Sequence, residues 1–287
     1  MRGMKPAAKL AVALALASVT TFSLGQTTAP PQQGATSQSS GRAPIQTKTT
    51  AEYQAYQAAI ANAKNPEAME KAAEDFAAKF PDSAVRVLLY RSAMNAYQGA
   101  GNAQKMMDVG LKVLNLDKDD PEALIGVAEV MQEQTSPTDP DKASRSKRAI
   151  EYAQHALETI DTDLAVPAGT AAERVEAYKK TLRSTAFAII GTVQYKQEQY
   201  ADAEGNLRKA IDADSANPDP VVVLRLALAL DQQNKYTEAL QQANRAVELT
   251  QETTDVGKTA RNERDRLVTM TRGSAPSSPS PQSSSSH

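Results

Sequence analysis

The residues of this sequence that could carry acid–base chemistry are few. His155 has Glu151 four residues before it, so the two could share one helix face as a general base and the acid that orients it. No nearby serine or threonine has the sequence context of a nucleophile, which a catalytic triad requires. We therefore interpret His155 as a solvated surface histidine, and we expect neither a catalytic residue nor an enzyme activity.

Acidic residues cluster at two places, where they could bind a metal ion or form a hydrolase pair. They are Glu129 and Glu133, four residues apart, and Asp117, Asp119 and Asp120, at a turn. The spacing of a calcium-binding loop is absent, and Asp120 precedes Pro121 as a helix cap would. The chain also contains no cysteine and only two histidines, which excludes a thiolate or histidine cage for zinc. The sequence thus predicts no metal site and no cofactor.

Four basic residues lie within seven positions and could contact an anionic lipid or an acidic partner. They are Lys142, Arg145, Lys147 and Arg148. The exposed start of a helix is the simpler interpretation of this cluster. We expect no nucleic-acid ligand, because phosphate backbones are bound by surplus Lys and Arg, whereas this chain has 32 basic and 34 acidic residues.

The first 25 of the 287 residues have the pattern of an export signal. Its basic start consists of Arg2, Lys5 and Lys9. An uncharged, mostly apolar run follows over 10–24, as in secretory signal peptides, and it is shorter than the roughly 20 residues of a membrane-spanning helix. We expect residues 1–25 to be removed after Gly25. The alternatives are cleavage at Ala15-Leu16-Ala17 and retention as a membrane anchor. The protein would accordingly be exported, and be periplasmic, secreted or membrane-anchored.

Low-complexity segments flank the rest of the chain. Residues 26–50 are rich in Thr, Gln, Ser and Pro with one large aliphatic residue, Ile45, and residues 273–287 are mostly Ser and Pro. Such segments bury too little apolar surface to offset the entropy lost on ordering the chain. We expect both to be disordered, and the folded body to span 51–272.

The body has the pattern of successive helix pairs. Pro lies mostly between the periodic stretches, after a residue that can cap a helix, as in Asn65-Pro66 and Asp120-Pro121. No segment shows the sustained alternation of a strand. The spacing predicts helix pairs over 51–80, 84–117, 121–161, 170–214 and 219–250, and a capping helix over 254–272.

The apolar pattern also repeats along the chain. Phe187, Ile190, Gly191, Tyr200, Ala203, Leu207 and Ala210 have counterparts 36 residues later at Val223, Leu226, Ala227, Tyr236, Ala239, Ala243 and Ala246. This series resembles the tetratricopeptide repeat (TPR), a pair of antiparallel helices that recurs about every 34 residues. The resemblance, to TPR proteins of the bacterial exported or periplasmic type, implies an all-α fold, a right-handed superhelical α-solenoid of antiparallel helix pairs.

The repeat spacing breaks once. Ala128 and Gly191 are 63 residues apart, where one repeat would give about 34. The surplus predicts two insertions, a loop between Met131 and Ala149 and a longer one before Phe187. Most of the second insertion should be helical, extending one helix over 171–197.

The resemblance implies a binding role. In this family the first helices of successive pairs line a concave groove. The corresponding positions are Leu88, Arg91, Asn95, Gln98, Ile125, Glu129, Gln132, Ala188, Thr192, Tyr195, Leu224, Leu228 and Asp231. Arg91 and Asn95 are similar to a pair that holds a C-terminal carboxylate in some members, but Thr185 and Ile189 stand where that clamp uses cations and amides. We therefore do not expect a carboxylate clamp.

Together these observations predict a non-catalytic interaction scaffold or adaptor in the cell envelope. Its partner would be an unidentified protein or peptide. Three alternatives stay open: an envelope assembly factor anchored by an uncleaved signal, the binding subunit of an enzyme complex, and a weak hydrolase centred on His155.

Overall fold

The computed structural model describes residues 42–135, 138 and 140–273, which form eleven α-helices and no β-strand. The helices are α1 (Thr50–Ile60), α2 (Pro66–Lys79), α3 (Val85–Gly99), α4 (Ala103–Leu116), α5 (Pro121–Glu133), α6 (Lys142–Thr159), α7 (Ala172–Lys196), α8 (Tyr200–Ala213), α9 (Pro220–Gln232), α10 (Tyr236–Glu248) and α11 (Asp255–Gly273). The predicted signal peptide and the predicted tail after residue 273 lie outside the described residues. Among the described helices, none combines the length and the apolarity of a membrane span.

Side-chain caps start several of these helices where the sequence places Asn or Asp before Pro. The Asn65 side chain accepts a hydrogen bond from the Ala68 N–H at 2.9 Å. The Asp120 carboxylate accepts one from the Ala123 N–H, also at 2.9 Å. Each bond satisfies a donor that the first helical turn leaves unpaired, so the helix starts follow from local chemistry.

Three helix pairs share one tight turn, in which a residue with positive φ stands two positions before the second helix. These residues are Gly101, Glu198 and Asn234, with φ of 71°, 63° and 61°. In each turn the following N–H donates to a carbonyl five residues back, at 3.0 Å: Asn102 to Tyr97, Gln199 to Gln194, and Lys235 to Leu230. This bond is typical of a Schellman ending, which reverses the chain within a few residues. The two helices of each pair must therefore run antiparallel.

The described chain divides into two compact units with a boundary inside α7, an N-terminal unit up to Ala186 and a C-terminal unit from Phe187. In the N-terminal unit each helix from α1 to α6 packs on the next, and α3 also contacts α1 and α5. Small residues allow this packing, since a Cβ on Gly110 would lie 2.8 Å from Cγ2 of Val127. In the C-terminal unit α8 to α11 pack in sequence, and α9 also contacts α11. The prediction of an all-α fold of antiparallel helix pairs is confirmed.

A polar network on the N-terminal unit joins α2 to α3 and α4. Glu70 accepts hydrogen bonds from the Tyr97 hydroxyl and from Lys112 Nζ, both at 2.7 Å, and from Lys105 Nζ at 3.3 Å. Burial acts to raise the pKa of Glu70, but these bonds outweigh it and lower the pKa to about 2. Conversely, burial and Glu70 raise the pKa of Tyr97 to about 12. The carboxylate is thus held ionised by its neighbours.

The segment before α1 corrects one expectation. Composition predicts disorder over 26–50, of which residues 26–41 lie outside the described residues. From residue 42 onwards the chain is ordered: Ile45 is buried and its N–H donates to the Val166 carbonyl at 2.9 Å. In return the Ile45 carbonyl accepts from the Ala168 N–H at 3.2 Å, and the Arg42 N–H donates to the Thr162 carbonyl at 2.8 Å. One buried aliphatic side chain and three backbone hydrogen bonds hold this stretch, residues 42–46, which we call the strap.

Candidate partner-binding face

In the N-terminal unit, most of the predicted groove residues are occupied by contacts within the chain. Leu88 and Ile125 are buried in the core. Asn95 donates to Glu122 at 2.7 Å, and Gln98 donates to Glu129 at 3.1 Å. These two hydrogen bonds connect α3 to α5, so the polar side chains that suggested a binding surface join the helices instead. Of this group, Gln132 is partly exposed.

Arg91 is the centre of a buried charge cluster. Its Nη1 lies 3.2 Å from Asp120 Oδ2, its Nε lies 3.3 Å from Glu122 Oε2, and its Nη2 donates to the Ala165 carbonyl at 2.6 Å. Burial acts to lower the pKa of Arg91, but the two carboxylates outweigh it and raise the pKa above its ordinary value. The Tyr178 hydroxyl also hydrogen-bonds Glu122, and burial raises its pKa well above the usual value. Both Nη atoms thus donate to an acceptor oxygen, whereas the buried Nε lies near Glu122 without a hydrogen bond.

The segment between α6 and α7 covers this cluster. Ile160, Leu164 and Ala165 are buried, and the strap forms backbone hydrogen bonds with the same segment. The role predicted for Leu88, Arg91 and Ile125 as lining of an open groove is therefore corrected. The insertion predicted before Phe187 contains this segment, which covers the wall formed by α3 and α5.

The C-terminal unit presents a more open surface between α7 and α9. Ala188, Tyr195 and Leu228 are partly exposed on it, whereas Thr192 and Leu224 are buried. Leu224 is part of the core, and its predicted groove role is corrected. The last predicted residue, Asp231, forms an ion pair with Arg266, which also lies 3.0 Å from Glu263.

Arg225, which was absent from the predicted set, also lies on this surface. Its Nη1 donates to the Thr192 hydroxyl at 2.8 Å, and this bond links α9 to α7. No carboxylate of a described residue lies within ion-pair distance of Arg225. Burial lowers the pKa of Arg225 below its ordinary value, and the more distant Asp219 only partly offsets this effect. The sequence did hold a signal, because Arg225 is the only charged residue between Val221 and Leu230. We call Ala188, Thr192, Tyr195, Arg225 and Leu228 the α7–α9 face.

His155 lies on the surface, as interpreted, but with a different partner. Its Nε2 lies 2.8 Å from Asp119 Oδ1 and its Nδ1 lies 3.5 Å from Glu158. Glu151 instead lies 3.6 Å from Lys147 Nζ, on the helix's own surface. The pairing of His155 with Glu151 is therefore corrected. No three potential metal ligands come together in the described part of the chain.

The basic cluster on α6 is largely engaged in contacts within the N-terminal unit. Arg145 donates to the Gln134 carbonyl at 3.2 Å, and the Arg148 guanidinium lies 5.9 Å from the centre of the Tyr152 ring. Both arginines line a polar cleft of about 530 Å³ between α4, α5 and α6. These contacts agree with an exposed helix face rather than with an uncommitted anion site.

No family model matches the chain, and no curated protein sequence matches it. Solved structures do. TTC0263, a thermophilic TPR protein of Thermus thermophilus, is 13% identical, with coverage of 77% of this chain and 99% of that chain and a TM-score of 0.45. YrrB, a TPR protein with an unusual peptide-binding site, is 19% identical, with coverage of 69% and 89% and a TM-score of 0.43. BtubC from P. vanneervenii is 15% identical, with coverage of 83% and 98% and a TM-score of 0.43.

Proposed function

We propose that this chain is a non-catalytic protein-interaction scaffold that binds a protein or peptide on the α7–α9 face. The observation that carries the proposal is the contrast between two helix-lined walls. The wall of α3 and α5 has its polar groups paired and is covered by residues 160–165. On the α7–α9 face, Tyr195 and Leu228 are partly exposed and Arg225 has no acidic partner among the described residues.

The chemistry of this face suits a polypeptide ligand. Aromatic and arginine side chains carry much of the energy at protein interfaces, and Tyr195 and Arg225 supply one of each. Leu228 lies one helical turn after Arg225, so an apolar contact stands beside the cation. The Tyr195 hydroxyl has no hydrogen-bond partner within the described residues, which leaves a polar group for a ligand to meet.

The test is a comparison of two leucine variants. Peptides selected from a random library against the full chain would be measured by fluorescence anisotropy. Leu228→Glu should weaken their binding about tenfold or more, as loss of a central interface residue does. Leu249→Glu is the matched control, because Leu249 is an exposed leucine, 40% accessible, at the end of α10, and it should change affinity less than twofold. Equal losses in both variants, or none in either, would refute the proposed face.

We further propose that the scaffold acts in the cell envelope. The support is the basic start and apolar run of residues 1–25, the pattern of secretory signals. Mass spectrometry of the protein from fractionated cells tests this proposal. A chain that begins after Gly25 in the periplasmic or secreted fraction is the expected result. A chain that retains Met1 in the membrane fraction would favour the anchored assembly factor, and one that retains Met1 in the cytoplasm would refute export.

A further inference from the structure

Two arginines in this protein each link one helix to another within their own unit, and only one of them has its charge matched by carboxylates. Arg91 lies on α3 and faces the neighbouring helix α5, while Arg225 lies on α9 and faces the neighbouring helix α7. All three nitrogens of the Arg91 guanidinium lie within 3.3 Å of an acceptor oxygen. Arg91 therefore shows which groups this protein places around a guanidinium to match its charge.

Side-chain carboxylates match the charge of Arg91. Asp120 and Glu122 flank Pro121 at the start of α5, and both form ion pairs with Arg91. Next to them, Tyr178 adds a hydroxyl to Glu122. Two acidic side chains, an aromatic hydroxyl and a backbone carbonyl thus complete the Arg91 cluster.

Arg225 has the aromatic and hydroxyl neighbours but lacks the carboxylates. Its Nη1 donates to the Thr192 hydroxyl, whereas its Nε and Nη2 have no hydrogen-bond acceptor in the described part of the chain. These two nitrogens form the edge of a guanidinium that holds a carboxylate through two parallel hydrogen bonds. The edge that binds an acid is therefore unpaired within the described residues, and it belongs to a partly exposed side chain.

The acidic residues of the same unit do not fill this place. Asp219 caps α9 and accepts from the Val221 N–H at 2.8 Å. Asp231 and Glu263 both pair with Arg266. A partly buried cation without a counter-ion is costly, so an external carboxylate that reaches Arg225 gains a strong interaction.

We propose that Arg225, oriented by Thr192 and flanked by Tyr195, binds an aspartate or glutamate side chain of a partner polypeptide. Leu228, one turn further along α9, contacts an apolar residue beside that acid. This inference rests on the proposed function, because it names the chemistry of the ligand at the α7–α9 face. The Arg91 cluster favours a side-chain acid over a chain-terminal one, since both of its carboxylates come from side chains.

The chain itself provides the first probe. A synthetic peptide of residues 117–126, amidated at its C-terminus, contains the two acids that pair with Arg91. A second peptide replaces its Asp and Glu residues by Asn and Gln. A third combines that neutral sequence with a free C-terminal carboxylate. Binding to the full-length protein is followed by the NMR signal of the Arg225 Nε–H group.

The acidic peptide should shift this signal and bind about tenfold more tightly than the neutral one, as a charge-assisted bidentate contact implies. Arg225→Gln should remove that difference. Arg245→Gln, on α10, is the matched control and should leave it within about twofold. Thr192→Val keeps Arg225 and removes only the hydroxyl that orients it, so it should weaken the acidic peptide several-fold even if Arg225→Gln fails to fold.

Three results would overturn the proposal. The acidic and neutral peptides could bind equally, the free C-terminal carboxylate alone could confer binding, or Arg225→Gln could bind the acidic peptide as well as the parent does. The proposed function is tested separately. If library-selected peptides lose affinity in Leu228→Glu but not in Arg225→Gln, the binding face stands and the acid site fails.

Discussion

Replacing Gly191 by alanine tests how closely α7 and α8 approach each other. A Cβ added to Gly191 would lie 2.8 Å from Leu207 Cγ and 3.2 Å from the Ala203 carbonyl oxygen. The first atom is the branch point of a buried side chain and the second is helix backbone, so neither yields easily. Gly205, on α8, is the matched control, because a Cβ there would meet nothing within 4 Å.

The two substitutions should have opposite effects on stability. Alanine is favoured over glycine inside a helix by about 1 kcal/mol, and this gain applies to both positions. At Gly191 overpacking opposes the gain by about 1–3 kcal/mol. We expect Gly205→Ala to raise the free energy of unfolding by about 1 kcal/mol and Gly191→Ala to lower it by about 0–2 kcal/mol, a difference of about 1–3 kcal/mol.

Urea unfolding followed by far-UV circular dichroism measures this difference directly. The comparison uses the shift in the urea concentration at half unfolding, with the dependence of the unfolding free energy on urea (the m-value) unchanged. A change in the m-value would indicate altered cooperativity. Equal stabilisation by the two alanines would show that the space beside Gly191 is larger than the structure has it. The close approach of α7 and α8 would then be wrong.

Three further predictions concern the pH dependence, the strap and one turn. Lys112 and its neighbours hold the pKa of Glu70 at about 2, below its usual 4.5, so the stability that Glu70 contributes is full above pH 4.5 and is lost as the pH falls towards 2. Glu70→Gln should therefore lower the free energy of unfolding at pH 7 by about 1–2 kcal/mol, a range already reduced because the lysines are exposed. The same variant should flatten the acid side of a plot of stability against pH. Ile45→Asp should detach the strap and accelerate amide hydrogen exchange over 162–168, whereas unchanged protection would contradict its packing. Glu198→Gly should raise the melting temperature through a gain of about 0.5–1 kcal/mol, because Glu198 has a positive φ that glycine adopts freely; a lower melting temperature would contradict that backbone.

Local patterns were sufficient to predict most of the helices. The start of α5 follows from Asp120 and Pro121, where a cap and a proline suited to the first turn stand together. The long helix expected over 171–197 is α7, Ala172–Lys196. Gly191 marked a close contact between helices, because the repeat requires a small residue there. In each case the signal and the structure that it predicts lie within a few residues of each other.

The residues of the binding surface were harder to predict, because their surroundings depend on distant parts of the chain. Arg91 was assigned to an open groove, but Ala165, which accepts its hydrogen bond, lies 74 residues later. Ile45 similarly packs beside a segment more than a hundred positions away, so composition alone suggested disorder. Arg225 is different, since a lone charge in an apolar run is visible in the sequence. The repeat spacing instead assigned its neighbours Leu224 and Leu228 to the groove.

The tight turns at Gly101, Glu198 and Asn234 have a consequence for how the protein unfolds. They bring consecutive helices together with very little intervening chain, so many contacts in either unit form between near neighbours in sequence. Such local connectivity favours rapid folding. It also lets single hairpins open without disrupting the rest. Amide protection within each unit should therefore be graded, with no single value of stability that describes every residue.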